Sequence, residues 1–552
     1  MIYHRSSRIV VALLFLSYFS FGQKLKKADK AIVDNLKAHI SYLADDKLEG
    51  RRAGTNGEKL AREYISTQFQ KAGLEPKGEG NSWFQSFDIN DGKQVNSPTL
   101  FMINGHDLKL NTDYFPFVYS PNKSVDAAVS MALKETGVPW FADLKEMLEE
   151  NKDNPHYDLE EAIKVKAKAS AEKGANALIV YNSSAIKDDL KFNGKDRSET
   201  LAIPVIYLAY DTKKKFLGDE SATVDVRIKT DIGDKKRTGN NVVGYLNNNA
   251  SSTIILGAHY DHLGYGEDNN SMLRTGEKLI HNGADDNASG TAALIELAKL
   301  LKQSKLKNNN YVFIAFSAEE LGLNGSKYFT EHPTVDISNA NYMINMDMVG
   351  RLNDSSKALT VGGYGTSPLW GQLLNPMQKN KNLVIKYDSS GTGPSDHTSF
   401  YRKDIPVLFF FTGLHSDYHR PSDDFDRINY TGELYIIKYI ESVITSANTK
   451  GKLAFTKTRE AQTSTTARFT VSLGIMPDYT FSGAGVRADG VSENRPAQKA
   501  GIQTGDVIIQ LGEHNINSME SYMQALGKFK KGDKTTVKYK RGENLLEGNV
   551  QF

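Results

Sequence analysis

The 552-residue protein contains no cysteine. That excludes disulfides, thiolate metal sites and cysteine nucleophiles. Any bound metal has to be held by His, Asp or Glu, a donor set that suits hard or borderline ions. Neither sign of charge dominates: 68 Lys and Arg face 66 Asp and Glu, a formal net charge of +2. The basic excess that a nucleic-acid partner demands is missing, and no such partner is expected. Also missing, beyond the first two dozen residues, is any apolar run approaching the roughly 20 residues a membrane span needs. A polypeptide of this length is too long for a single core, so two to four domains are expected.

The one apolar block lies at the start. MIYHRSSR, with Arg5 and Arg8, precedes IVVALLFLSYFSF, and the small residues Ser20 and Gly22 stand ahead of Gln23. The block is too short to span and has the layout of a secretory signal peptide over residues 1–22. Without cysteine the protein cannot be a lipoprotein. The expectation is an exported protein, periplasmic or secreted, with no membrane anchor after cleavage.

Five further segments differ in texture. Residues 23–92 hold two helical patterns around the loop LEGRRAGTNG. Residues 93–235 are rich in Lys and Glu, with short isolated strands (VPWFADL, NALIVYN, IPVIYLA) and one helix, and read as an inserted α/β module. Residues 236–450 alternate near-continuous apolar strands (NVVGYL, STIILGA, YVFIAFSA, YMINM, ALTVGG, LVIKY, IPVLFFF) with helices. That pattern predicts an α/β fold: a mostly parallel mixed sheet covered by helices on both faces. Residues 451–467 are polar and read as a linker, and residues 468–552 as a compact β-rich unit with strong turns.

The strands of 236–450 end on unusual residues. After STIILGA come His259 and Asp261, after YVFIAFSA come Glu319 and Glu320, and after YMINM comes Asp347. GADDNASG, with Asp285 and Asp286, opens a helix, and HSDYHRPSDD, with His415 and His419, follows the last strand. Singly these are ordinary: a His at a surface turn, Asp as a helix cap, glutamates in solvent. Jointly they place many carboxylates at one sheet edge, where they would repel each other. Bound cations remove that repulsion. With imidazole and carboxylate donors and no thiolate, two zinc ions are the expected occupants, with cobalt or manganese as substitutes.

GAHYDHLG, GADDNASG, FSAEELGLNGS, INMDMVG and DYHRPSDD resemble, in order and spacing, the motifs of the di-zinc exopeptidases, the group of aminopeptidase Y, bacterial leucyl aminopeptidases and glutamate carboxypeptidase II. The resemblance covers residues 30–92 and 236–450. Residues 93–235 stand where relatives carry an inserted protease-associated (PA) domain. Residues 468–552, with LGIMPDYTF and the stretch from VSENRPAQKAG, resemble a PDZ domain, which implies binding of the carboxyl termini of polypeptides near Leu473-Gly474-Ile475. For the site, the resemblance implies His259, Asp286, Glu320, Asp347 and His419 as metal ligands, Asp286 bridging, the assignment of the others to individual metals left open. It implies Glu319 as general base toward a water activated by the two metals, Tyr418 as hydrogen-bond donor to the oxyanion, Asp261 as the residue that orients His259, and a cis peptide between Asp286 and Asn287. Among the remaining residues, His262 and His415 are expected to support ligands or lie at the surface, and Asp423 to cap a helix. Arg51 and Arg52 are expected in salt bridges. Ser395, Asp396 and His397 would line the substrate pocket or support its loop.

The activity implied is aminopeptidase action on peptides. Carboxypeptidase or dipeptidase action is the alternative within the class, and a glutaminyl cyclase or a non-catalytic, receptor-like scaffold would be expected to lack part of the ligand set.

Overall fold

The structure, a computed structural model, describes residues 25–458 and 471–552 except 155–156, 197, 269, 274, 276, 478–480, 482, 493–494 and 518. The expected signal peptide, most of the expected linker and part of LGIMPDYTF lie outside the described residues.

A nine-stranded sheet organises the largest unit. Its centre is four adjacent parallel strands, in the order Asn310–Phe316, Thr253–His259, Ala340–Met346 and Val407–Phe411. The first three are buried along their whole length, which is why they read as continuous apolar runs instead of alternating ones. Parallel order therefore holds at the centre, while Ile232–Leu246 and Ala358–Gly362 pair antiparallel on the two sides. Helices Lys27–Leu43, Asn56–Lys71, Gly290–Gln303 and Tyr430–Ala447 bury their apolar stripes on one face. Phe329 and Phe400, from the short helices Asn324–Glu331 and His397–Tyr401, pack on the other. The sheet is thus an α/β layer covered on both faces, and its central strands all deliver their carboxyl ends to one edge, where sites form in such folds.

Strands Phe84–Val95 and Ile232–Leu246 form a long antiparallel ribbon that leads from this sheet to the inserted unit. The insert holds two four-stranded sheets. One carries the parallel strands Pro139–Asp143, Ala177–Tyr181 and Val205–Leu208. Trp140 is buried in the core of this unit. After helix Tyr430–Ala447 the polypeptide remains attached to the first unit: Leu453 is buried and donates its amide to Asn341, and the amide of Thr458 donates to Tyr401. The polar stretch is therefore anchored up to residue 458. The last unit is a six-stranded sheet closed over Leu473, Ile508, Leu511 and Val537. Among the described residues no helix is long and apolar enough to cross a membrane.

Candidate metal centre

Each strand end delivers one or two acids or histidines by a sharp change of direction. His259 is the last residue of its strand. Glu319 and Glu320 follow Ala318, and Asp347 precedes Met348. Ala318, Met348 and His419 itself all sit in the left-handed region, with φ of 56°, 55° and 53°. Non-glycine residues seldom adopt that backbone, and such residues gather at functional sites. Asp285 and Asp286 lie in the turn Ala284–Ser289 that opens helix Gly290–Gln303, and the Asp286–Asn287 peptide is cis. Gly283 cannot carry a side chain: a Cβ there would lie 2.1 Å from the Asp286 carbonyl oxygen and 2.5 Å from the His262 ring.

The side chains converge in two groups that share Asp286. His259 Nε2 lies 3.3 Å from Asp286 Oδ1 and 3.3 Å from Asp347 Oδ1. His419 Nε2 lies 3.3 Å from Asp286 Oδ2 and 3.2 Å from Glu320 Oε2. Tetrahedral ligands about 2.0–2.1 Å from a zinc ion stand about 3.3 Å from one another. The donor spacing therefore fits one ion in each group, with one Asp286 oxygen for each. His262, Asp286 and Glu320 also lie close enough together to hold an ion. His262 Nδ1, however, is 2.8 Å from Glu320 Oε1 and 4.0 Å from Asp286, so it contacts Glu320 alone at hydrogen-bond distance, while His419 reaches both carboxylates.

Charge tells the same story. Burial opposes a charged His259 ring, yet Asp347 and Glu319 outweigh it and hold its pKa well above the usual imidazole value. Burial is likewise outweighed at His419, where Glu320 and Asp286 raise the pKa to about 11. Asp286 is held well below the carboxylate range by the two rings, and Glu320 is drawn to about 2 by His419 and His262, in both cases against burial. Glu319 is the exception: burial, reinforced by Asp347 and Glu320, pushes it well above the usual value. Its Oε2 is 3.9 Å from His259 Nε2, so it faces the site without belonging to either group.

The surrounding residues fix these positions. Asp261 accepts the amides of Glu319 (3.0 Å) and Glu320 (3.4 Å), and its Oδ1 lies 3.7 Å from His259 Nδ1. It holds the glutamate pair more closely than it holds the ring, which sits 3.2 Å from the Asp261 carbonyl oxygen. Ser395 donates to Asp347 Oδ2 at 2.7 Å and accepts from Asn345. His419 Nδ1 lies 2.8 Å from the Asn270 carbonyl. The Tyr418 ring stacks on that of His419 at 3.9 Å, and burial beside Asp286 and Glu320 raises its pKa, so the hydroxyl keeps its proton. His415 contacts Asp285 at 3.1 Å. His397 stacks on Phe409.

Two expectations change. Asp423 does not cap the helix that follows it, a task taken by Asp424. It is buried and accepts the amides of Asp285 and Asp286 at 3.0–3.1 Å, with its pKa raised to about 6 by burial and by Asp285. Arg51 makes no salt bridge among the described residues and binds backbone carbonyls instead. Arg52 does pair with Asp268, through Nε at 2.7 Å and Nη2 at 2.8 Å. Asn270 and Asn345 escaped sequence reading because a lone Asn carries no signal there.

Buried histidines and carboxylates, spaced for two ions that share one carboxylate, form a candidate dinuclear metal site on an α/β sheet edge. The comparisons agree: residues 241–443 match the model of Peptidase family M28, and residues 458–552 that of the PDZ domain. The first match covers the unit that holds the candidate metal site, and the second covers the last unit. The chain is similar to aminopeptidase YwaD of Bacillus subtilis, at 26% identity over 50% of this chain and 59% of that protein. It is also similar to leupeptin-inactivating enzyme 1 of Streptomyces exfoliatus, at 32% over 27% and 34%. The match thus spans less than two thirds of either relative. Among solved structures it resembles an aminopeptidase from Aneurinibacillus sp. strain AM-1, with a TM-score of 0.41 at 23% identity over 77% of this chain and 95% of that one.

Proposed function

We propose that the protein is an exported zinc aminopeptidase that releases N-terminal residues from peptides. The observation that carries the reading is the pair of ligand groups sharing Asp286, with a base of raised pKa beside them. His259 and Asp347 would hold one ion, His419 and Glu320 the other, and Asp286 both. When bound, two zinc ions supply a lowered water pKa and a polarised scissile carbonyl. Glu319 takes the proton of the attacking water and passes it to the leaving amine, a task open to a carboxylate that faces both ligand groups without belonging to either. The Tyr418 hydroxyl donates to the developing oxyanion. Asp261 keeps Glu319 and Glu320 pointing apart by holding both amides.

Aminopeptidase action is favoured over carboxypeptidase action by charge. A free substrate carboxylate needs fixed cations. Arg351, the arginine nearest the Asp347 strand end, is held by Asp417 at 3.1 Å, Arg52 by Asp268, and Arg51 is fully buried. The acid-rich edge suits a protonated α-amine instead. Relatives named as aminopeptidases point the same way. We further propose that residues 93–235 form a PA-type insert, that residues 1–22 are a cleaved signal peptide, and that the PDZ domain takes the carboxyl termini of polypeptides by strand addition. Removal of residues 459–552 then leaves cleavage of small chromogenic substrates near the full rate. A panel of free and N-acetylated peptides, run with and without chelator, tests the main reading. Free peptides are expected to lose their first residue only in the metal-loaded protein. Trimming of acetylated peptides from the C-terminus at comparable rates would establish carboxypeptidase action instead.

A further inference from the structure

Two buried ionisable residues of the stretch LEGRRAGTNGE, Arg51 before helix Asn56–Lys71 and Glu58 in its first turn, make no ion pair among the described residues, with each other or with any other group. Arg51 is 0% exposed and Glu58 1%. The partners of Arg51 are backbone carbonyls: Tyr260 at 2.7 Å, Leu43 at 2.5 Å, Asn282 at 2.6 Å and Gly283 at 2.9 Å. The partners of Glu58 are neutral: the Gly54 amide at 2.8 Å, the Asn240 amide at 3.0 Å and the Ser317 hydroxyl at 2.6 Å donate to it, and the Tyr260 hydroxyl, 2.9 Å away, shares its one proton between Glu58 and the Asn240 carbonyl at 2.6 Å. Burying a charge is costly unless its hydrogen bonds are made, and here both sets are made.

The two meet on one residue. Arg51 takes the Tyr260 carbonyl and Glu58 the Tyr260 hydroxyl, and Tyr260 stands between His259 and Asp261 in the sequence. Their other bonds lead to the rest of the site. Asn282 and Gly283 run directly into Asp285 and Asp286, and Ser317 lies two residues before Glu319. The guanidinium is a rigid planar fork, so it sets the directions of the carbonyls it binds as well as their distances. A carboxylate oxygen that meets three groups at once, as Glu58 Oε1 meets the Asn240 amide, the Ser317 hydroxyl and the Tyr260 hydroxyl, fixes those groups relative to one another.

We propose that Arg51 and Glu58 are positioning residues of the metal centre, clamping the His259–Asp261 segment from opposite sides and setting its spacing from Asp286 and Glu319. The proposal rests on the di-zinc reading above. It assigns to this loop a role in metal affinity and turnover that neither residue performs by touching an ion or a substrate.

Zinc affinity of the full-length protein, measured by competition with a chromogenic chelator, tests it alongside the thermal unfolding midpoint of the metal-free protein. Glu58→Gln keeps the shape but turns one acceptor into a donor, and Arg51→Lys keeps the charge but loses the fork. Both are expected to fold cooperatively, to bind zinc at least about tenfold more weakly, the usual effect of losing a group that orients a ligand, and to lose kcat at nearly unchanged KM. Tyr260→Phe, which removes only the clamped hydroxyl, should show a smaller loss in the same direction. Arg52→Lys, on the neighbouring ion cluster, should leave zinc affinity unchanged. A folded Glu58→Gln and Arg51→Lys that both bind zinc as the wild type does would overturn the proposal. So would loss of cooperative unfolding in both, which would assign the pair to the scaffold alone. A wild-type protein that binds no zinc would overturn the di-zinc reading and this proposal with it.

Discussion

Two units of this molecule build parallel strands of similar look, and only one builds a reactive edge. In the insert, strand Pro139–Asp143 also ends on an acid. Asp143 accepts from the amides of Lys145 and Ser183, both at 3.0 Å, and from the Ser183 hydroxyl. Asp188 nearby accepts from Asn182 at 2.8 Å and Tyr207 at 3.0 Å. Neutral donors satisfy each of these acids where it stands. At the other edge Asp286, Glu319, Glu320 and Asp347 converge with His259 and His419 in near-complete burial. Their charge exceeds what local hydrogen bonds offset. Layer architecture is common to both units, and function follows the unbalanced, buried charge.

The contrast is sharpened most by breaking the charged edge itself. Glu320→Ala removes a ligand of one group, and its zinc content, read by elemental analysis, should fall from two equivalents to one or none, with activity lost. Glu319→Gln should keep both equivalents and lose turnover on the order of a hundredfold or more, as removal of a general base does. Equal behaviour of the two variants would end the division of roles between neighbours. Asp423→Asn is expected to act more mildly, since it loosens the amide clamp behind Asp286. About tenfold weaker zinc binding with the fold intact is the outcome to look for by calorimetry.

The matched change in the insert, Asp143→Asn, should leave zinc content and rate untouched and cost about 1 kcal/mol of stability, the scale of one hydrogen bond. A rate effect there would show that the insert's strand ends take part in catalysis. A further stability prediction concerns Asp91, at the junction of the two units. Burial raises its pKa, but Lys195, Arg237 and Lys235 outweigh burial and hold it well below the carboxylate range. Its contribution is therefore complete above the ordinary carboxylate pKa of about 3.9 and is lost as pH falls through the depressed value. Urea midpoints should drop below about pH 4, and Asp91→Asn should flatten that decline.

How much of this was legible in the sequence differs by residue. His259, Glu319, Glu320 and Asp347 announced themselves because each follows a buried strand in which a charge has no ordinary place. Asp286 and His419 stood beside Asp285 and His415 in the same sheet-edge set, and only the family resemblance chose between the members of each pair, since a His in a loop and an acid before a helix have bland readings. Asp423 was expected to cap a helix, and the local reading of an acid in RPSDD points to the helical turn that follows. Its real partners, the amides of Asp285 and Asp286, lie 138 and 137 residues away in sequence. Arg51 was expected in a salt bridge because arginines usually end in one. That four carbonyls would surround it follows from how three distant segments meet, which residue type alone does not encode. The anchoring of residues 453–458 was hidden for the same reason: polar composition reads as linker whether or not its amides find partners.

We propose that two ions held around Asp286 make this protein an aminopeptidase. The decisive measurement titrates zinc into metal-free protein while following release of the first residue of a free peptide alongside its N-acetylated twin. No activity is expected without metal, with a rise that saturates at two equivalents and no cleavage of the acetylated peptide. Full activity in metal-free protein, or equal cleavage of the two peptides, would contradict this proposal.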